Sequence, residues 1–472
     1  MLFRSNTALS VSNATIGAAN LRFTSVSASG GANGIVLNNT GTTGGLVVTG
    51  TGSAGTGGTI QNVTADSILL SSTHGVSLTQ MNVTNSAQSH IDATNVDGLT
   101  LINMNFDLSG DHGILGSTVR NLVIQGGLYD RGGAAAVVAN KHGVFITNLL
   151  GNSSVSGATF RRSNTIQFRV SNTTATNAAP GAPDVLTISN TTWDQHTGPF
   201  AGDHLSVDSS TGGNFRLVTN ATGGVNTFTT GGEAVQATSG GSGVMDLSAT
   251  GLAVTGNSTA GMVIGLTGSG SLTYNVFGNK TANGTGFNNT GSLAVSIVNT
   301  GSGTMSGTFD DNTITDTPGA NALQVIQEGN GTIVAAITNN VISGNILNSG
   351  IRAQARLGTG LLALTITGNS VSSTNPSALQ AISLESGASG SGHANTICLN
   401  MANNTASTTS GSDGYRLRQR AGTTFNLQNF SGSGTSTTDV ANWVNVTKSN
   451  VGSVSVLIGS SFSAAPAACA TP

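Results

Sequence analysis

The chain has 472 residues, a formal net charge of −3 and only 7% charged residues. This balance excludes the strongly basic surface that binds nucleic acid and gives no bulk attraction to an anionic membrane. No apolar run approaches the roughly 18 residues that span a bilayer. The hydrophobic content of 37%, with so little net charge, excludes ordinary intrinsic disorder.

The beginning of the chain carries no recognisable signal peptide, because residues 1–5 are followed by polar residues and not by an apolar segment. We therefore expect a fragment of a longer protein whose leader is missing. A composition poor in Lys and Glu and rich in Asn, Thr and Gly is typical of exported bacterial proteins. It predicts an extracellular or cell-surface location.

A short motif returns every 23 residues in the first third of the chain. Residues 76–83, 99–106 and 122–129 align, so Leu78, Leu101 and Ile124 hold the same position in successive repeats. Apolar residues begin each repeat at every second position, which is a strand period. A fixed period of this length indicates a solenoid whose repeats pack on their neighbours. The pattern predicts a parallel β-helix with these three side chains in one inward-facing stack.

An aromatic residue followed by aspartate occurs four times, at Phe106-Asp107, Tyr129-Asp130, Trp193-Asp194 and Phe309-Asp310. Asp107 and Asp130 are 23 residues apart and should lie on adjacent rungs, about 5 Å apart. Two carboxylates at that distance repel each other, raise one pKa or bind a cation such as calcium. Alternatively, each aspartate ends a strand with an Asx turn. Recurrence favours the turn, since a catalytic site is normally used once.

Gly-Asp-His occurs at residues 110–112 and again at 202–204. Asp111 and His112 could supply acid–base chemistry. With Asp107, Asp130 and Arg131 they form the best candidate for a catalytic cluster. The alternative is a turn that opens the next strand, and duplication of the motif favours it.

The second half of the chain changes its repeat. A loop is predicted near 177–184 and a Gly-rich irregular region at 211–243. Beyond these the period lengthens to about 28–34 residues and each repeat becomes a strand pair, followed by turn asparagines that can form ladders between rungs. These asparagines are Asn339, Asn369, Asn403 and Asn429. We expect one continuous β-helix over residues 1–462, of roughly 16–18 rungs, and an Ala/Pro-rich tail at 463–472.

Arginines alternate on two of these C-terminal strands. Arg352 and Arg356 share one strand, whereas Arg416, Arg418 and Arg420 share a later one. A period of two places each set on one face, and parallel stacking should bring both sets to the same side. Such a stripe could bind an anionic polysaccharide through Arg–carboxylate pairing. The alternative is a solvated outer face.

The chain has two cysteines, Cys398 and Cys469. They are either two unrelated thiols or a disulfide that ties the tail back onto the last rungs. The oxidising environment of an exported protein permits the disulfide.

The Asn-rich and Gly-x-Gly rungs resemble those of the right-handed parallel β-helix superfamily of exported bacterial proteins. This superfamily includes pectin-lyase-like enzymes and adhesin-type passenger domains. The resemblance implies an all-β, single-stranded right-handed parallel β-helix. Polygalacturonase-like members carry Asn-Thr-Asp, Asp-Asp, Gly-His-Gly and Arg-x-Lys elements. This chain has Asp310-Asp311 but neither Gly-His-Gly nor Arg-x-Lys.

Two functions remain open. The first is a non-catalytic, monomeric surface β-helix without a cofactor, adhesin-like or a structural stalk, that binds polysaccharide. The second is a polysaccharide lyase or glycoside hydrolase of the pectin-lyase-like fold, with the cluster around Asp107 and Asp130 in a groove and calcium as its candidate cofactor. The missing motifs favour the first.

Overall fold

The computed structural model describes residues 7–133, 140–173, 183–194, 202–389, 393–465 and 467–472. The described chain is built almost entirely from short parallel strands stacked rung on rung. This is the all-β parallel β-helix predicted from the repeats. The chain divides into two units, Met1–Asp208 with Gly213–Val235 and Ser209–Gly212 with Gln236–Pro472.

Unit 1 stacks its strands on three faces, numbered by the order in which each rung visits them. Face 1 contains β1, β4, β11, β14, β17 and β20, face 2 contains β2, β5, β12, β15, β18 and β21, and face 3 contains β3, β6, β8, β10, β13, β16, β19 and β22, while β7 and β9 run through faces 1 and 2. The bounds are β1 (Leu9–Ser12), β2 (Leu21–Phe23), β3 (Ala28–Ser29), β4 (Ile35–Asn38), β5 (Leu46–Val48), β6 (Thr59–Gln61), β7 (Ile68–Thr79), β8 (Asn82–Ser86), β9 (Ile91–Ile102), β10 (Asn105–Ser109), β11 (Ile114–Arg120), β12 (Val123–Gln125), β13 (Leu128–Asp130), β14 (Val144–Leu150), β15 (Asn152–Ser156), β16 (Thr159–Arg161), β17 (Ile166–Asn172), β18 (Asp184–Ser189), β19 (Thr192–Asp194), β20 (Asp203–Ser209), β21 (Asn214–Asn220) and β22 (Asn226–Thr229). The next strand, β23 (Glu233–Ser239), begins in unit 1.

Unit 2 also has three faces. Its face 1 contains β26, β29, β32, β35, β38, β41 and β43, its face 2 contains β24, β27, β30, β33, β36, β39, β42 and β44, and its face 3 contains β25, β28, β31, β34, β37 and β40. The bounds are β24 (Val244–Ala249), β25 (Leu252–Thr255), β26 (Ala260–Leu266), β27 (Ser271–Phe277), β28 (Gly286–Asn288), β29 (Leu293–Asn299), β30 (Thr304–Asp310), β31 (Thr313–Thr317), β32 (Leu323–Gln327), β33 (Thr332–Thr338), β34 (Val341–Ile346), β35 (Ile351–Ala355), β36 (Leu361–Thr367), β37 (Ser370–Ser373), β38 (Ile382–Ser386), β39 (Thr396–Ala402), β40 (Thr405–Thr408), β41 (Tyr415–Gln419), β42 (Thr424–Leu427), β43 (Val454–Ile458) and β44 (Ser463–Ala464).

The 23-residue register of unit 1 is confirmed. Leu78 pairs with Leu101, and Leu101 with Ile124, on successive strands of face 2. All three side chains are completely buried. Because alternate residues of a strand point to opposite sides, one correct register places the whole apolar set in the core.

Aromatic side chains continue the core of unit 1 on face 3. Phe106, Tyr129, Phe160, Trp193 and Phe228 occupy one register position on consecutive strands. Their neighbouring ring centroids lie between 4.6 and 5.6 Å apart. Three of the four aromatic-Asp pairs therefore place their aromatic residue in this core stack. The fourth is different, because its Phe309 lies on β30 of face 2 in unit 2.

A ladder of buried asparagines runs through unit 2. Each side-chain amide donates to the side-chain oxygen of the asparagine on the next rung, as from Asn340 to Asn369 at 2.9 Å and from Asn369 to Asn404 at 2.9 Å. The full ladder is Asn279, Asn312, Asn340, Asn369, Asn404 and Asn450. All of its members are buried. Each amide also bonds backbone carbonyls at its turn, as Asn369 does with Ile337, so the ladder satisfies polar groups that the turn would leave unpaired.

One segment is more regular than its composition suggested. The Gly-rich region 211–243 contains β21, β22 and β23, whereas the sequence led us to expect irregular structure. Glycines with positive φ make tight turns on either side of these strands, Gly212 before β21 and Gly241 after β23. Of the loop predicted near 177–184, residues 177–182 lie outside the described residues, and β18 begins at Asp184.

A short helix interrupts the last rung, which the sequence analysis did not predict. Helix α1 (Thr437–Asn442) is capped by the Ser436 side chain, and a π-helical turn (Trp443–Thr447) follows it. Val440, Trp443 and Val444 are buried. The only other helical turn in the described ranges is a 3₁₀ turn (Thr281–Asn283), and none of these is long and apolar enough to cross a membrane.

Candidate functional site

The predicted neighbours Asp107 and Asp130 do lie on adjacent strands in register. Each is paired with an arginine on the following rung, and not with backbone N–H groups as an Asx turn requires. Arg131 donates from Nε and Nη2 to the two carboxylate oxygens of Asp107 at 2.7 and 2.6 Å. Arg162 holds Asp130 in the same two-point way. Both carboxylates are therefore already neutralised.

The environment of Asp130 is closed. Its side chain is only 6% exposed. The cavity that Asp130 borders with His90 and Tyr129 measures about 10 Å³, enough for at most one water molecule. A sugar has no access to this carboxylate in the structure. Asp107 with Arg131 and Asp130 with Arg162 form an ion-pair ladder on face 3.

Asp111 and His112 belong to a second cluster. Asp111 pairs with Lys141 and lies 3.5 Å from His112 Nε2. His112 Nδ1 accepts the His142 backbone N–H at 2.9 Å, and His142 Nδ1 accepts the Ile166 N–H at 3.3 Å. Burial lowers the pKa of both rings, that of His142 to about 3. Burial thus favours the neutral form of both histidines, and each uses its Nδ1 as a structural hydrogen-bond acceptor.

The two clusters do not assemble a metal centre. Within the described ranges, no three His, Cys, Asp or Glu side chains are arranged to hold a metal ion. The oxygens that would attract calcium to Asp107, Asp111 and Asp130 face arginine or lysine instead.

One carboxyl pair was missed by the sequence reasoning. The Glu233 N–H donates to Asp203 Oδ1 at 2.7 Å. Burial raises the pKa of Asp203, and burial together with the Asp203 charge raises that of Glu233 to about 7. Glu233 Oε2 is buried and has no hydrogen-bond partner within the described residues. The second Gly-Asp-His motif contains Asp203, but no motif surrounds Glu233, so only the fold brings the pair together.

Unit 2 collects the arginines on its face 1. Arg352, Ser383 and Arg416 are in register on β35, β38 and β41. Gln354, Glu385 and Arg418 form the next column two residues along the same strands. Arg356 and Arg420 directly follow β35 and β41. We call this surface the arginine face, defined by Arg352, Arg356, Arg416, Arg418 and Arg420.

Charge on the arginine face is unbalanced. Arg356 pairs with Glu328. Three others surround the single carboxylate of Glu385, with Arg420 hydrogen-bonded at 2.6 Å and with Arg418 and Arg416 at 3.6 and 3.9 Å. Burial lowers the pKa of Arg352 and Arg416, and neighbouring arginines add to the shift while Glu385 opposes it. The half-buried arginine face therefore carries more positive charge than its own carboxylates neutralise.

An open groove of about 430 Å³ continues the arginine face onto the last rung. Arg418 and Arg420 line it, together with the backbone and side chains of residues 456–459 on and after β43. This groove offers space for a ligand beside the charged donors of Arg418 and Arg420, whereas the closed cavity at Asp130 does not.

The two cysteines are joined. Cys398 and Cys469 form a disulfide with their Cα atoms 5.5 Å apart. The Cys469 N–H also donates to Gln428 Oε1 at 2.8 Å, and β44 pairs with β42. The tail is thus attached to the last rungs of unit 2 at three places.

Comparison with protein-family models, with curated proteins and with solved structures found no match. The function of the chain is therefore argued from its geometry.

Proposed function

We propose that the chain is a non-catalytic, monomeric β-helix that binds acidic polysaccharide through the arginine face of unit 2. The observation that carries the proposal is the gathering of three arginines, Arg416, Arg418 and Arg420, around the one buried carboxylate of Glu385. Guanidinium groups suit this role, because they are always charged and match carboxylate geometry with two parallel hydrogen bonds. A column of strands also repeats its donors along the solenoid, as a polymer repeats its acidic groups.

The pairing of the acidic side chains in unit 1 supports a non-catalytic role. A general acid or base must reach a proton on the substrate. Asp130 is buried against Arg162, and His112 accepts a backbone hydrogen bond. Stable ion pairs explain why aspartate and arginine recur on neighbouring rungs without a catalytic motif.

The disulfide supports an exported location, because such bonds persist in oxidising compartments. We place the chain outside the cell, at a bacterial surface, as an adhesin-like or stalk segment. Binding a polysaccharide there would anchor it to a capsule, matrix or wall.

A panel of polymers tests the proposal. Polygalacturonate, alginate, dextran sulfate and neutral dextran are titrated into the intact chain, with calcium and with a chelator, and each mixture is scored for binding and for shortened polymer. We expect binding of the acidic polymers, no dependence on calcium and no shortening. Arg416→Gln with Arg418→Gln should weaken binding, whereas Arg22→Gln, which removes one exposed charge from unit 1, should not.

A second function is favoured by one observation, the Asp203–Glu233 pair. A carboxyl group with a pKa near neutrality beside a second carboxyl is a common acid–base arrangement in glycoside hydrolases. If any polymer is shortened in the panel, Glu233→Gln should abolish the reaction. Cleavage that persists in this variant would place the reaction elsewhere.

A further inference from the structure

We propose that Arg352 and Arg416 form a clamp for a single oxyanion group, a carboxylate or sulfate of an acidic polysaccharide, seated over Ser383. This inference rests on the proposed function and deepens it. It assigns a defined subsite within the arginine face, where the proposed function needs only an excess of positive charge.

The register of the strands creates the clamp. Arg352 and Arg416 occupy the same column two rungs apart, and Ser383 lies between them. Two rungs of a parallel sheet are separated by about 9.6 Å, so two long side chains can reach the same anion from both sides. Ser383 is only 2% exposed. Its hydroxyl can donate to an anion held between the two arginine side chains once these move apart to admit it.

The two arginines of the clamp are the ones that Glu385 compensates least. The Glu385 carboxylate accepts its hydrogen bond from Arg420 and lies 3.6 Å from Arg418. Arg416 remains 3.9 Å away, beyond hydrogen-bond distance. Arg352 bonds a neutral group, the Gln354 side-chain oxygen at 2.9 Å. Neither arginine of the clamp has a hydrogen-bonded carboxylate among the described residues.

Arg416 also has an unused donor. Its Nε is buried and has no hydrogen-bond partner in the part of the chain that the structure describes. A buried N–H without a partner is unfavourable, and burial already lowers the pKa of this guanidinium. If the guanidinium rotated toward an anion, its Nε and one Nη would form a bidentate pair with that anion. This contact would give the buried N–H a partner and the buried positive charge a counter-charge.

The arm of Arg352 is held in place for this role. Gln354 accepts from Arg352 and donates from its own amide to the Gly387 carbonyl at 2.8 Å. The side chain of Gln354 is buried. An oriented guanidinium loses less side-chain entropy when it binds, which favours recognition of one group over diffuse attraction.

The test uses short, defined probes on the intact chain: trigalacturonate for a carboxylate, a sulfated dextran oligomer for a sulfate and a neutral galactose trimer. We expect at least one of the two charged probes, trigalacturonate or the sulfated dextran oligomer, to bind. The neutral galactose trimer should not bind. Arg352→Gln and Arg416→Gln should each weaken binding about tenfold or more, the effect of one charge-assisted contact. Arg416→Lys keeps the charge but loses the fork, and it should also weaken binding.

Ser383→Val separates the clamp from general charge, because it removes the hydroxyl and adds bulk between the two arginines without changing any charge. We expect Ser383→Val to weaken binding of the acidic probe as much as Arg416→Gln does. Ser455→Val is the matched control, since Ser455 is the other neighbour of Arg416 in the same column and has no arginine beyond it. Thermal unfolding of each variant confirms that it is folded.

Two results would overturn the clamp while leaving the proposed function intact. One is an Arg418→Gln variant that loses as much affinity as Arg416→Gln; the other is a Ser383→Val variant that binds normally. Either shows diffuse attraction by the whole face. If the wild-type chain binds neither acidic trimers nor acidic polymers, the proposed function itself fails.

Discussion

Charged side chains of unit 1 find their partners on the neighbouring rung, and their burial decides how much each pair matters. Asp130 is nearly inaccessible and depends on Arg162. Asp107 and Arg131 are each about one-third exposed, at 34% and 36%. The same two-point pairing is thus present once in a buried and once in a partly solvated environment.

Arg162→Gln should destabilise unit 1 by roughly 3–5 kcal/mol, because the buried Asp130 carboxylate would lose its counter-charge. Arg131→Gln is the matched control, and its loss should stay near 1 kcal/mol or less, as for exposed pairs. Urea unfolding followed by circular dichroism measures both. Equal losses in the two variants would show that burial of Asp130 is not what makes its pair important.

Neutral buried histidines make unit 1 sensitive to acid. His142 has a pKa lowered to about 3, first by burial, and its Nδ1 accepts a backbone hydrogen bond. An unfolded histidine titrates near 6.5. Below that pH the unfolded chain binds more protons than the folded one. The contribution of His142 to stability is therefore fully present above pH 6.5 and decreases as the pH falls below it.

Between pH 7 and pH 5 this histidine alone should remove about 2 kcal/mol of stability. His142→Asn keeps a hydrogen-bond acceptor without a titrating group, so the variant should lose less stability than the wild type over this interval. Urea midpoints at the two pH values provide the comparison. Parallel losses in both proteins would contradict the role given to His142.

At the scale of the element, the asparagine turns combine two functions in adjacent residues. Asn339 and Asn403 adopt left-handed backbone, with φ of 57° and 55°. The next residues, Asn340 and Asn404, are members of the buried ladder. The first residue of each pair makes the turn, and the second connects the rungs.

Asn369→Ala should destabilise unit 2 by roughly 3 kcal/mol or more, because several buried donors and acceptors lose their partner at once. The Asn369 amide contacts Asn340 and Asn404 as well as backbone carbonyls. Asn345→Ala is the control, since Asn345 is exposed and its side chain accepts an exposed hydrogen bond from Asn375. Thermal unfolding that does not distinguish the two variants would contradict the role of the ladder.

Strand positions were predictable from the sequence where the repeat length is constant. The stack of Leu78, Leu101 and Ile124 follows from two periods, 2 and 23, that agree. The Asp130–Arg162 pair was not predictable, because its residues are 32 positions apart. The 23-residue register does not continue there, since Asp130 is in register with Arg161, 31 residues later. The sequence analysis assigned the ladder to Asn339 and Asn403, one residue before its actual members Asn340 and Asn404. It could not separate them, because the turn asparagine and the ladder asparagine are adjacent and chemically identical.

The candidate site followed the same rule. Alternation predicts that the side chains of Arg352 and Arg416 share a face, and the strands place them in one column. Neither the intervening rung with Ser383 nor the contacts of Glu385 could be read from the sequence, because they depend on the lengths of the turns between β35, β38 and β41. The Asp203–Glu233 contact is hidden for the same reason.

At the scale of the whole chain, the disulfide fastens the tail to unit 2 over a sequence separation of 71 residues. Closing a loop of this size reduces the entropy of the unfolded chain. In the simple chain model this stabilises the folded state by up to about 4 kcal/mol. Reduction should therefore lower the unfolding temperature of unit 2 while the β-sheet signal persists. A Cys398→Ser, Cys469→Ser double variant should unfold at the lower temperature with or without reductant. An unchanged unfolding temperature on reduction would show that the bond does not stabilise the fold.

The central claim is that this β-helix binds an acidic polysaccharide and does not cut it. The most direct measurement is calorimetric titration of the intact chain with polygalacturonate at low and at high salt, followed by analysis of polymer length in the same samples. The account predicts saturable binding that weakens as salt screens the arginines, with the polymer length unchanged. Shortened polymer, or an absence of binding at low salt, would contradict it.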